Sequence, residues 1–179
     1  MHLIGVRKLR PYGCTHFVIP IIIDIEASGF GSGSYPIEIG FIDDNGQRYC
    51  SLIKPLPEWT AWDEGAFNMH GISRAYLASH GKPAALVADE LNQLLAGKRV
   101  FSDGWVADQF WLNTLFQALG KWPSFTLSPI EGIQTPRQHE CWDLTLRKLR
   151  EQHNEQRHRA SSDAYLIQLA FITSAKIPS

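Results

Sequence analysis

The chain has 179 residues, with Lys+Arg 17 against Asp+Glu 18, a net charge of −1 and a pI near 6.6. That balance excludes a basic clamp along long duplex DNA, where affinity comes largely from neutralised phosphates, but leaves open a site gripping a few nucleotides with metal ions supplying positive charge. A hydrophobic content of 44% and a charged content of 20% exclude a disordered chain, and no apolar run is long enough for a signal peptide or a membrane span.

Residues 1–16 lack periodicity and are expected to form a peripheral extension to a single domain over 17–179. Phe17 to Ile25 is β-branched and apolar on both parities, which predicts a central strand buried on both faces. A Gly/Ser stretch, Ser28 to Ser34, follows. Ile37 to Ile42 reads as a second strand, Asp43-Asp44-Asn45-Gly46 as a hairpin turn, and Gln47 to Ile53 as a third strand. Pro55 and Pro57 end the meander, and Trp62 to Met69 forms a short helix stopped near Gly71. Pro83 to Leu95 is a helix with proline in its first turn, Arg99 to Ser102 a short strand, and Ala107 to Leu119 an apolar helix closed by Gly120. Trp122 to Gln138 is expected to be loop with one short strand. Asp143 to Gln152 and Ala160 to Ser174 read as the last two helices. A three-stranded meander followed by alternating helices and strands predicts an α/β fold with a mixed sheet. Cys14, Cys50 and Cys141 lack CxxC spacing, so reduced, mostly buried thiols in a cytoplasmic protein are expected.

Three signals carry chemistry. Asp24-Ile25-Glu26 ends the first strand, where side chains two apart face the same way and both carboxylates can meet one hard cation. Composition alone predicts about 0.45 chance occurrences of D-x-E, so context must decide, and two acids ending a buried strand are costly unless partnered. Asp108 opens the middle helix, with Asp103 just before it. His158 and Asp163 make the chain's H-x-x-x-x-D, a histidine before the last helix and an acid in its first turn. Each signal by itself also fits a solvated strand end, a surface histidine or a helix-start acid.

In their order and spacing these segments resemble the DEDDh 3′–5′ exonucleases over about Phe17 to Ala175. Asp24 to Phe30 looks like the first exonuclease motif in its RNase T form, with an aromatic after the glycine. Ala66 to Ser73 resembles the family's H-G-I-[ST] stretch, Val106 to Leu112 the second motif, and His158 to Asp163 the third. Cys141-Trp142-Asp143-Leu144 resembles the helix start between the last two. Gly104 stands where the family often has Asn, and Ser102-Asp103 replaces a more usual small-His-Asn, which leaves Asp103 as a lesser rival to Asp108.

The resemblance implies a ribonuclease H-like fold, a mixed central sheet flanked by helices, and release of nucleoside 5′-monophosphates from single-stranded DNA or RNA 3′ ends or short oligonucleotides. It implies two Mg²⁺ (or Mn²⁺) ions held by Asp24, Glu26, Asp108 and Asp163: Asp24 bridging, Glu26 and Asp163 on the first ion, Asp108 on the second, partly through water. His158 is the candidate general base, since an imidazole ordinarily titrates near 6.5. Phe30 is the candidate to stack on terminal bases, the backbone amides of Ala27 and Ser28 to meet the 3′-hydroxyl region, and His70 to contact substrate. For Phe30 and Phe67 core packing is the alternative, and none of the six tryptophans is assigned a base. Homodimers are common in the family, and that expectation comes with the resemblance.

The main alternative is a nucleic-acid-binding or protein-interaction module that keeps the exonuclease fold without catalysis. A nucleotide-binding reading of Gly29-x-Gly31-x-Gly33 fails G-x-G-x-x-G and lacks a Walker lysine. A zinc site from His139, Cys141, His153 and His158 lacks any recognised spacing. No G-x-S-x-G elbow is present for acyl transfer.

Overall fold

The computed structural model describes residues 18–153, 155 and 158–177. Cys14, the extension over 1–16 and Phe17 lie outside the described residues; the first strand, expected over Phe17 to Ile25, begins only at Ile21, after Pro20, and runs on to Ala27. Six strands form one mixed sheet: β1 (Ile21–Ala27), β2 (Pro36–Ile42), β3 (Arg48–Lys54), β4 (Lys82–Pro83), β5 (Arg99–Ser102) and β6 (Thr126–Pro129). Their order is β4-β3-β2-β1-β5-β6. β1, β2 and β3 form the expected antiparallel meander, whereas β5 joins β1, and β6 joins β5, in parallel. Among the described residues the helices are α1 (Glu64–His70), α2 (Arg74–His80), α3 (Ala84–Leu94), α4 (Trp105–Ala118), α5 (Pro136–Gln152) and α6 (Ala160–Ser174). None is long and apolar enough to cross a membrane.

β1 is buried on both faces because both of its parities are apolar. Ile21, Ile23, Ile25 and Ala27 join Leu91, Leu112 and Leu115 of α3 and α4 in one core, while Ile22 joins Leu146, Leu166 and Ile167 of α5 and α6 in another. Asp24 and Glu26 continue the parity of Ile22, so both carboxylates emerge on the face that α6 covers.

The approach of α6 depends on Gly40. Gly40 pairs with Asp24 in the ladder, and a Cβ there would overlap the backbone of Ala160 and Ser161. The start of α6 therefore rests directly on β2, beside Asp24. Gly40→Ala is expected to lower stability by about 1–3 kcal/mol through overpacking. Urea unfolding should show a lower midpoint at an unchanged slope; an unchanged midpoint would mean that α6 can retreat without penalty.

Several boundaries differ from the sequence expectations. α2 was not expected; Ser73 N-caps it, its hydroxyl accepting from the Tyr76 amide at 3.1 Å. α5 begins at Pro136 rather than Asp143, started by a capping box in which Thr135 and Gln138 satisfy each other's backbone amides. Asp143 is thus inside a helix and starts none. Pro83 caps α3 and pairs with Lys54 instead of entering the first turn. The expectation of mostly buried thiols is also corrected: Cys50 is exposed and Cys141 half-buried, both free. β3 buries Ser51 and Ile53 on one face and leaves Cys50 on the other, less covered one.

Candidate active site

The acids converge at the carboxyl end of β1, where its neighbours β2 and β5 run in opposite directions. Glu26, His158 and Asp163 each present a ligand atom, and these atoms lie within 4.8 Å of one another. Asp163 arrives in the first turn of α6, as the sequence predicts. His158 precedes that helix with φ of 55°, a left-handed conformation that costs a non-glycine residue on the order of 1 kcal/mol or more and tends to occur at functional sites. Asp108 enters from the first turn of α4 and is 3% exposed. The buried Ser102 hydroxyl donates to its Oδ2.

These carboxylates repel one another in a desolvated setting. Burial raises Asp24 well above the usual carboxylate value, and Asp108, Glu26, Asp163 and Asp103 push it further. Burial, then Asp163, Glu38 and Asp108, push Glu26 up to about 8, partly offset by Arg159. Burial pushes Asp108 up to about 7, opposed by the Ser102 hydrogen bond. Asp103 is raised chiefly by burial as well, with Arg150 opposing. Both candidates for the middle acid therefore belong to the cluster, Asp108 being the stronger neighbour of Asp24. A cluster of hard oxygen donors held this far above its ordinary protonation range fits a divalent cation such as Mg²⁺. His139, Cys141 and His153 do not gather with His158 in any metal-sized group among the described residues.

Beside the acids lies a crevice lined by Glu26, Ala27, Phe30, Met69, His70 and Trp111. Phe30 is 69% exposed, which excludes core packing and leaves its ring tilted over Trp111 at a centroid distance of 6.5 Å. Trp111 and Trp59 are buried and Phe67 half-buried, whereas Trp122 is exposed. The H-G-I-S stretch resolves into four structural roles. His70 ends α1, Gly71 closes it in the left-handed region at φ 69°, Ile72 enters the core, and Ser73 caps α2. The Nδ1 of His70 accepts from the Ile72 amide at 3.0 Å, which places the ring proton on Nε2, buried beside Ala27 without a well-aligned hydrogen bond. Burial holds the His70 pKa below its usual value.

Ser28 departs from expectation. Its amide donates to the Tyr35 carbonyl at 2.9 Å and its hydroxyl accepts from the Tyr35 amide at 3.1 Å. With both groups engaged and only 1% of the residue exposed, Ser28 shapes the loop and offers no free amide to a 3′ end.

Sequence reasoning missed Glu38 and Arg159. Glu38 lies opposite Glu26 in the ladder and is fully buried. Arg159 donates to both of its carboxylate oxygens, through Nε at 3.0 Å to each and Nη2 at 2.6 Å to Oε1. The Ala160 amide donates to Oε2 at 2.9 Å. One signal was available: a glutamate inside the apolar run Pro36-Ile37-Glu38-Ile39 must find a cation.

The sheet order and the flanking helices define a ribonuclease H-like fold. The chain is similar to solved structures of E. coli exonuclease I. One, in complex with a dA16 oligonucleotide, has a TM-score of 0.66 at 14% identity and covers 87% of this chain and 41% of its own. Another, the zinc-ion-bound form of the ExoI–ssDNA complex, has a TM-score of 0.64 at 15% identity over 87% of this chain and 40% of its own. The chain thus spans about two-fifths of the length of those proteins. No protein-family model matches it, and no curated protein matches it in sequence. The likeness is one of fold.

Proposed function

We propose that this chain is a divalent-metal-dependent 3′–5′ exonuclease that hydrolyses the terminal phosphodiester of single-stranded DNA or RNA to nucleoside 5′-monophosphates. The carrying observation is the convergence of Asp24, Glu26, Asp108, Asp163 and His158 at the end of β1, with Asp24, Glu26 and Asp108 held well above the usual carboxylate range. Asp24, Glu26, Asp108 and Asp163 would hold Mg²⁺ or Mn²⁺, two ions by analogy with the DEDDh enzymes. Bound divalent ions supply positive charge to the phosphate and to the charge that develops in the transition state.

The chain's own groups do the rest. A ring nitrogen of His158 accepts the proton of the attacking water, which requires the neutral imidazole. The exposed face of Phe30 stacks on a terminal base, an interaction worth roughly 1–3 kcal/mol per base. His70 lines the crevice and is the candidate to contact the nucleotide that enters it. Exonuclease I has been solved in complex with single-stranded DNA and with a dA16 oligonucleotide, which supports a single-stranded substrate here. The free thiols of Cys50 and Cys141 suit a reducing compartment, and the cytoplasm is the one we propose.

The test uses matched 3′-labelled and 5′-labelled ssDNA and ssRNA with Mg²⁺, Mn²⁺ or EDTA. The expected result is immediate release of labelled mononucleotide from the 3′-labelled strands, and a ladder of shortening products from the 5′-labelled ones. Binding of the oligonucleotide without metal-dependent turnover would instead identify a non-catalytic binding module.

A further inference from the structure

We infer that Glu38 is a positioning residue: through Arg159 and the Ala160 amide it fixes the backbone that aims His158 and Asp163 at Glu26. The inference rests on the nuclease reading for what is being aimed, and on the geometry around Glu38 for the aiming itself.

Opposite residues of an antiparallel pair are separated by about 4.5–5.5 Å between Cα atoms, and Glu38 stands opposite Glu26. It is therefore the nearest carboxylate on β2 to the acid cluster, yet its oxygens already accept four hydrogen bonds. Those donors belong to Arg159 and Ala160, the two residues that directly follow His158. The side chain of the first and the backbone of the second are held by one buried carboxylate. Ala160 is also the first residue of α6, so the same contact sets the height at which Asp163 enters. Gly40, two residues along β2, carries no Cβ, and one there would overlap the backbone of Ala160 and Ser161.

Stability does not account for this arrangement. Glu38 is fully buried and the Arg159 side chain 30% exposed, and a largely buried ion pair usually gives little more than an apolar pair of similar volume, since desolvation offsets the attraction. What the pair does provide is direction, because the planar guanidinium engages both carboxylate oxygens. Direction is needed here because His158 holds a left-handed backbone conformation, which persists only where its surroundings enforce it. On the other side of His158 the connection is tied as well, through the two hydrogen bonds that Arg48 donates to Glu155 at 3.0 and 3.1 Å. That pair is more exposed and adds less.

The test compares Glu38→Gln, the apolar pair Glu38→Met with Arg159→Met, and each combined with His158→Ala. Groups that orient catalytic side chains typically matter about 10–100-fold, and kcat per folded molecule is expected to fall by that factor in both backgrounds with KM changed far less. The apolar pair removes both charges but leaves the buried Ala160 amide without its acceptor, so its melting temperature is expected to fall modestly, and turnover counted per folded molecule separates aiming from folding. Adding His158→Ala to either background should then lower kcat much less than it does in the wild type, because the histidine is already misplaced. Turnover per folded molecule within about twofold of wild type, or an undiminished effect of His158→Ala, would overturn the inference. If the wild-type chain degrades no oligonucleotide, the nuclease reading fails separately. The His158 imidazole cross-peak in a ¹H–¹³C spectrum then decides: displacement in Glu38→Gln upholds the positioning role, and an unchanged peak removes it.

Discussion

Asp24→Asn is expected to lower metal-dependent turnover on the order of 10³-fold while making the metal-free protein more stable. The loss follows from removing the carboxylate that interacts with each of the other three acids, several kcal/mol of charge stabilisation at about 1.4 kcal/mol per decade. The gain follows from the titration. Burial and its neighbours raise Asp24, Glu26 is pushed up to about 8, and Asp108 to about 7, from ordinary values of 3.8 for Asp and 4.5 for Glu. Groups raised on folding bind protons more tightly in the folded chain than in the unfolded one. Their favourable contribution is full below those ordinary values and is lost as pH rises through about 7 and 8. In EDTA the melting temperature of the wild type should therefore fall between about pH 5 and pH 8.5, and Mn²⁺ should restore it. Asp24→Asn removes one buried charge, so its decline in EDTA should be shallower and its response to Mn²⁺ weaker. A chain of this length gains about 2–4 °C for each kcal/mol, within reach of a fluorescence melt. Near wild-type turnover, or a lower melting temperature in EDTA at pH 8, would remove Asp24 from the centre of the site.

His158→Ala is expected to reduce kcat by roughly 10²–10⁴-fold, the usual worth of a positioned general base. The pH profile distinguishes that role from a surface histidine. Acidic pH also protonates Glu26 and Asp108, whose raised values make metal binding compete with protons. The measurement therefore belongs at saturating Mg²⁺, so that the remaining acidic limb reports the base. Wild-type turnover should rise from acid toward neutral pH, and that rise should flatten in the variant. Divalent binding, followed by Mn²⁺ titration, should change little if the imidazole's main task is the proton. A variant with the wild-type rate and profile would show that His158 takes no part in proton transfer, whatever its proximity to Glu26 and Asp163.

The strongest periodic signals were legible because local chemistry and tertiary burial agreed. β1, its double-sided burial, the meander through Asn45-Gly46 and the bounds of α6 all follow from apolar parity and turn residues. The start of α5 was written in Thr135-Pro136-Arg137-Gln138, a capping box followed by a long polar helix that the density of Pro, Ser and Thr before it concealed. The helix after Ser73 was too short for its periodicity to show. Of the candidate site, the residue types and their order in the chain were readable, as were the strand that carries Asp24 and Glu26 and the helix starts that carry Asp108 and Asp163.

What the sequence by itself determined, then, is local: which segments are strands or helices, and which acids stand at their ends. Tertiary structure alone decided how those ends meet. β5 inserts beside β1 and brings Asp108 and Ser102 to the end of the strand, and the missing Cβ of Gly40 lets α6 descend onto β2. The fate of Glu38 was decided there too. In sequence it is one acid in an apolar strand, and only the fold shows Arg159, 121 positions away, closing on it. The physical reason is the same throughout. Periodicity and capping depend on neighbours a few residues apart, whereas desolvation and charge pairing depend on whatever the whole chain brings within a few ångströms.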